Sequence, residues 1–448
     1  MSRFAVSLYP TNCLQSRSKR DKTCPCRRNE ILPCSGVHLL PYQACTFCSR
    51  YRLLQHIVTK QYTNPSAISN CTCGFSVNDT SSEHHAVFTD LDEIDFLHIR
   101  KLTEKSITWA RQEYNTTAAG ARGPNGKMAL LQNVIENPLR SIFDWGGQGF
   151  RGGEPGLQLW VRSSIVDGMV SMGEIAAKRT DVLYGSFRVA MKVTQIHGTC
   201  GAFFWVSYCL QHVTNDISTN LYQFRNNTQE IDMEFLSSQF NDSYPVNLVL
   251  QSPASTAAGY DASKTPSFLR YTLPFNPAGG FHEYRFDWLP DRVSFYADGH
   301  WLHDMTENVP DSPGHLMLNH WSNGDPRWSG GPPASDAVLT VSYIKAYFNS
   351  SDPTRQGALR KRCSISNMET NVCKIPDQAV APDTGGVNGN TTARTFFFSK
   401  DPLAAAVNAS AYEPHSGSSS PVSLLFSWRF LFSATLISLI MGPLISLD

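Results

Sequence analysis

Between Cys71 and Ser350, short apolar runs alternate with polar residues at a period of two. Gly, Pro and Asn interrupt them about every ten residues. Phe187, Val189, Met191 and Val193 share one face of the stretch 184–193. Tyr284, Phe286 and Trp288 repeat that spacing, which marks Phe286 and Trp288 as core. The run 293–297 follows a Pro-Asp turn, and Asp298 and Gly299 supply hairpin chemistry before His300. Residues 338–348 form another such run. This pattern predicts an all-β fold, an antiparallel β-sandwich. Long helical patterns are missing; Asp90 to Leu102 is the best candidate for a helix, and its spacing is weak.

Outside this body the pattern fails. Residues 351–420 are rich in Ser, Thr, Pro, Gly, Asn and Ala and read as a linker or stalk. Residues 421–448 form an apolar tail interrupted by Arg429. The small, polar stretch Asn408 to Ser420 precedes it, the order expected of a C-terminal lipid-anchor signal; a tail-anchor helix is the alternative. Residues 1–69 are read as a disordered arm, followed by a body at 70–350.

Charge sharpens that division. The 448 residues hold 38 basic and 38 acidic groups. Residues 1–70 carry ten Lys/Arg against two Asp/Glu, which leaves 28 against 36 in the rest: a basic arm and an acidic body. With no net charge, 17% charged residues and nine Trp, the chain is neither disordered throughout nor a strongly basic nucleic-acid binder.

Six of the twelve cysteines lie in the arm, at spacings that fit no standard four-ligand zinc site. His84, His85 and the other histidines lack ligand spacing, so no metal or cofactor is expected. Glycosylation sequons begin at Asn70, Asn78, Asn115, Asn226, Asn241, Asn349, Asn390 and Asn408. Their density predicts a secreted, glycosylated body whose cysteines pair as disulfides. Cys363 and Cys373 are spaced to close a short loop, but spacing leaves the connectivity open.

The sharpest chemical feature is the run 230–234. On a strand Glu230, Asp232 and Glu234 point to one face, while Ile231, Met233 and Phe235 point to the other. Three like charges in a row repel one another, so at least one carboxyl should hold its proton to unusually high pH. One ionised and one protonated carboxyl is what a retaining glycosidase requires.

That run resembles the catalytic strand of glycoside hydrolase family 16, in the form without an inserted bulge residue. Tyr184 to Arg188 and Gly198 to Trp205 resemble the strands before it. Phe286 to Asp291 and Tyr296 to Gly299 resemble those after it. Leu318 to Asp325 and Trp328 to Pro333 resemble the late loop and strand of fungal members. The resemblance covers about residues 71–350. It implies a concanavalin A-like jelly roll, with Glu230 as nucleophile, Asp232 as the tuning carboxylate and Glu234 as general acid/base.

It also implies a monomeric enzyme, outside or at the cell surface or wall, cutting within β-1,3- or β-1,3/1,4-glucan. Membrane contact is expected only through the C-terminal anchor. Chitin/glucan transglycosylation is the enzymatic alternative. A lectin on the same fold and a structural wall protein are the non-catalytic ones. Trp205, Trp321 and Trp328 are expected to stack on sugar rings, and Asn319 and His320 to bond sugar hydroxyls. The Gly-rich run Asp144 to Gly153 lacks a phosphate-loop ending and is expected at a cleft lip or in a turn.

Overall fold

The computed structural model describes residues 71–378 apart from short breaks, the longest at 212–221. The expected arm at 1–69 and the apolar tail lie outside the described residues. Among those described, no helix is long and apolar enough to cross a membrane.

Two sheets enclose one large core. In the front sheet, Phe268–Leu273 pairs with Tyr244–Gln251, which pairs with the acidic strand Tyr222–Leu236. Cys200–Gln211, Gly314–Trp321 and Met169–Ala177 follow, all antiparallel. Trp109–Arg111 and Gly126–Ala129 border different halves of Met169–Ala177. In the back sheet, His300–Met305, Val293–Ala297, His282–Trp288, Val182–Lys192 and Ala337–Ser350 run side by side. Asp90–Asp95 and Gly156–Val161 share the far edge of Ala337–Ser350.

The predicted alternation is realised residue by residue. Phe187, Val189 and Met191 from the back sheet meet Phe203, Ile231, Met233, Phe235, Leu248, Leu316 and Leu318 from the front in a single apolar cluster. Phe286 and Trp288 lie there as read. Each such side chain contributes about 1.5–3 kcal/mol by leaving water. Together they commit the opposite parity of these front strands to the outer face of that sheet.

Two expectations need correction, and the cysteine pairing that spacing left open is decided. Asp90 to Asp95 is a strand, with a turn after it, not the start of a helix. Its acidic residues are buried because both faces of the back sheet are covered, and each finds a partner. Asp90 lies 3.4 Å from Arg179, Asp92 accepts from Thr108, Glu93 accepts from Tyr347, and Asp95 bonds His98. Pairing with Ala337–Ser350 decides the conformation against a weak local preference.

Second, the described segments 353–363 and 371–375, expected to be stalk, are part of the folded body. Pro353–Arg362 is a helix, capped by the Asp352 side chain at the Thr354 amide. Val372–Lys374 runs parallel to Gly74–Val77 in a small sheet laid on the back face, where Phe75, Val77, Phe88, Leu91, Tyr347 and Ile375 form a second cluster. Cys363 and Cys373 do not pair with each other. Cys71 bonds Cys373 and Cys73 bonds Cys363, because the parallel pairing brings the two ends of the body together.

Candidate active site

Strand register sets out the front face in rows. Glu174, Asn319, Ala202, Glu234 and Asn247 are successive partners across five strands. The neighbouring row reads Ala176, Met317, Phe204, Asp232 and Val249. In the next, His315, Val206, Glu230 and Gln251 align. No register shift interrupts the stretch 230–236 opposite 200–206, so the three carboxyls lie on one face while Ile231, Met233 and Phe235 enter the core.

Their surroundings are apolar. Ala176, Cys200, Ala202, Phe204, Val206, Leu236 and Met317 form a buried patch on this face, with Trp321 and Trp328 packed against it. Asp232 is buried, and Glu230 and Glu234 are half-buried. Burial first, then the charges of Glu230 and Glu234, push the Asp232 carboxyl well above its ordinary range, and it shares a side-chain hydrogen bond with Glu230. Burial also raises Glu234, to about 7. Hydrogen bonds from Trp328 and Cys200 pull it down, Glu230 pushes it up, and Arg122 pulls it down. Near neutral pH, then, Glu234 can both give and take a proton.

Two loops border the acids. Arg122 follows the short helix Ala118–Ala121 with a positive φ of 58°. Beside it, Asn323 donates to the Ala121 carbonyl and accepts from Ser329. The loop carrying Trp328 is fixed by close backbone approach: at Gly331 a β-carbon would fall 2.3 Å from the Gly198 carbonyl oxygen. Trp328 Nε1 donates to Glu234 Oε1 at 3.3 Å, and its ring lies 6.3 Å from that of Phe268.

The other expected sugar contacts divide. Trp321 is half-buried on the front face, with the Lys127 ammonium 4.3 Å from its ring centre. Asn319 is on the same face and donates to Glu174 Oε2 at 3.1 Å; the Tyr114 hydroxyl donates to that oxygen at 3.0 Å. Trp205 is a correction. It points into the core, 4.2 Å from Trp288 between ring centres, because parity gives the front-face position to Phe204. His320 is another. It is buried on the core side, bonded through Nδ1 to the Leu159 carbonyl, and burial lowers its pKa to about 4. The Gly-rich run is no lip: Trp145 packs with Leu97, Leu139, Ala190, Phe281 and Tyr343 on the back face.

Sequence reading overlooked Cys200, Glu174, Tyr114, Arg122, Lys127 and Phe268. Alternation alone would have put Cys200 opposite in parity to Phe203. Nothing local shows that its strand neighbours the acids.

Fold and site together define a two-sheet β-sandwich with a cluster of three carboxyls on one outer face, bordered by indoles. Residues 143–344 match the model for glycosyl hydrolases family 16. The β-glucanase of Paenibacillus macerans is 32% identical over 153 residues, 33% of this chain and 52% of its own length. That of Bacillus licheniformis is 29% identical over 172 residues, 36% and 58% of the two chains. The chain thus spans about half the length of the curated relatives it matches. The crystal structure of a prokaryotic β-1,3-1,4-glucanase (lichenase) from a mouse hindgut metagenome aligns over 58% of this chain and 99% of its own, at 17% identity and a TM-score of 0.40. Apo Crh5 transglycosylase aligns over 59% and 86%, at 17% identity and a TM-score of 0.38.

Proposed function

We propose that this protein is a retaining glycoside hydrolase that cuts within β-1,3- or β-1,3/1,4-glucan chains. One observation carries the reading: the unbulged stretch 230–236 presents three carboxyls on one face, and one of them, Glu234, has its pKa raised to about 7. The β-glucanase names of the relatives agree with it.

In the first step Glu230 attacks the anomeric carbon while Glu234 protonates the departing glycosidic oxygen, and a glycosyl ester forms on Glu230. Asp232, neutral and hydrogen-bonded to Glu230, orients the nucleophile and relieves repulsion along the row. Glu234, now ionised, then takes a proton from water, whose oxygen displaces Glu230 from the sugar. Trp321 and Trp328 offer faces for sugar rings, and Asn319 offers its amide to a hydroxyl. A sugar hydroxyl in place of water would give transglycosylation from the same intermediate. The unbulged acidic strand keeps that reading open as the second choice.

The two disulfides and the sequons at Asn78, Asn115 and Asn241 support a location outside the reducing cytosol. A wall-facing, anchored protein fits the apolar tail.

The test incubates the full chain, and its Glu230→Gln and Glu234→Gln variants, with laminarin, lichenan and chitin oligomers, and follows products by mass. Shorter glucans are expected from the wild type, with a loss of about a thousandfold or more in each variant. Longer hybrid oligomers would select transfer. Undiminished activity in both variants would remove the mechanism.

A further inference from the structure

Two donors from different parts of the chain reach Glu234, and both reach the same oxygen. Trp328 Nε1, on the loop after Gly314–Trp321, donates to Oε1 at 3.3 Å. Cys200 Sγ, on the strand adjoining the acidic strand, donates to Oε1 at 3.4 Å. The Cys200 thiol is fully buried and outside any disulfide. It packs among Ala176, Ala202, Phe204, Leu236 and Met317.

We propose that Cys200 and Trp328 form a two-donor clamp on Oε1 of Glu234, a positioning device that reserves Oε2 for the catalytic proton and sets the pH at which it is released. The proposal rests on the assignment of Glu234 as acid/base. An oxygen that already accepts two hydrogen bonds is the poorer place for a proton, so the proton goes to Oε2. Once Glu234 is ionised, both bonds become charge-assisted and strengthen. The clamp therefore favours the carboxylate and opposes the burial that favours the acid.

The thiol is suited to the task. Burial and the neighbouring Glu234 push its own pKa well up, so it stays protonated and remains a donor wherever the enzyme works. Sulfur is also a weak donor. It lowers the proton affinity of Glu234 without abolishing the acid form.

The experiment measures kcat/KM against pH on lichenan for the full chain, Cys200→Ala, Cys200→Ser and Trp328→Phe, with Glu234→Gln as reference and a thermal midpoint recorded for each. Loss of a donor should move the basic limb upward by about half a pH unit to one unit, because one unit corresponds to a tenfold change in proton affinity. Cys200→Ser restores a hydroxyl donor and should return the limb to the wild-type position or slightly below. A purely structural role would lower the thermal midpoint and the whole profile without moving the limb. If Cys200→Ala fails to fold, Trp328→Phe carries the same test. An unmoved limb in both donor variants, with Glu234→Gln inactive, overturns the clamp alone. Full activity in Glu234→Gln overturns the acid/base assignment, and the clamp with it.

Discussion

The Glu234 carboxyl ties the stability of the fold to pH. In the folded chain its pKa is raised from 4.5 to about 7. The folded state therefore binds this proton more tightly than the unfolded state does. The associated stability is complete below the ordinary carboxyl range and is lost as pH rises towards 7. Above that, a half-buried charge sits beside other carboxyls at a cost on the order of 1–3 kcal/mol. Glu234→Gln should thus be more stable than the wild type at pH 8 and nearly equal at pH 4, while inactive at both. Urea titrations at the two pH values check this, and an equal difference at both would refute it. The acids at 230, 232 and 234 were legible because their spacing needs only a strand. Trp205 and His320 were misread because a family-like neighbourhood does not fix which way a side chain faces.

At the scale of elements, the back sheet carries charge where its sequence pattern leads one to expect solvent. Lys345 is buried with its ammonium 3.7 Å from Glu283, and Tyr343 donates to the same carboxylate at 2.5 Å. Arg188 lies 3.9 Å from Glu283, and Arg285 bridges Asp287 and Asp377. Removing one member of a buried set leaves the rest desolvated and incompletely paired. Lys345→Ala is expected to cost about 3 kcal/mol in chemical unfolding, whereas substitution of the exposed Lys264 should change little. A loss below about 1 kcal/mol in Lys345→Ala would mean that Arg188 and Tyr343 suffice. The runs read from alternation at 184–193, 284–288, 293–297 and 338–348 fall on the strands Val182–Lys192, His282–Trp288, Val293–Ala297 and Ala337–Ser350. The strand Asp90–Asp95 was not, because its acids become tolerable through partners such as Arg179, Arg355, Thr108, Tyr347 and His98, with Tyr347 lying 254 positions from Glu93.

For the whole molecule, the two disulfides among the described residues tie positions about 300 apart, and close the body at its back rather than at the face that carries the three carboxyls. Long closed loops carry the larger entropic benefit, in the range of about 2–5 kcal/mol per native disulfide. The Cys73→Ser, Cys363→Ser double variant should unfold at lower temperature yet keep the basic limb of its pH profile, since neither cysteine touches the acids. Peptide mapping without reductant should recover Cys71 joined to Cys373. Recovery of Cys363 joined to Cys373 would refute the pairing.

From the sequence alone came the β class, the parity of the runs at 184–193, 284–288 and 230–235, and the three acids on one face. Each follows from a period of two and short-range spacing, which act within a few residues. Tertiary structure decided what depends on partners distant in the chain. It set which strands adjoin the acidic one, and so brought Cys200 and Trp328 to a single oxygen of Glu234. It also made the segment after residue 350 part of the body and paired its cysteines. Register, burial and electrostatic coupling arise only when separate segments meet, and no local pattern encodes which segments those are.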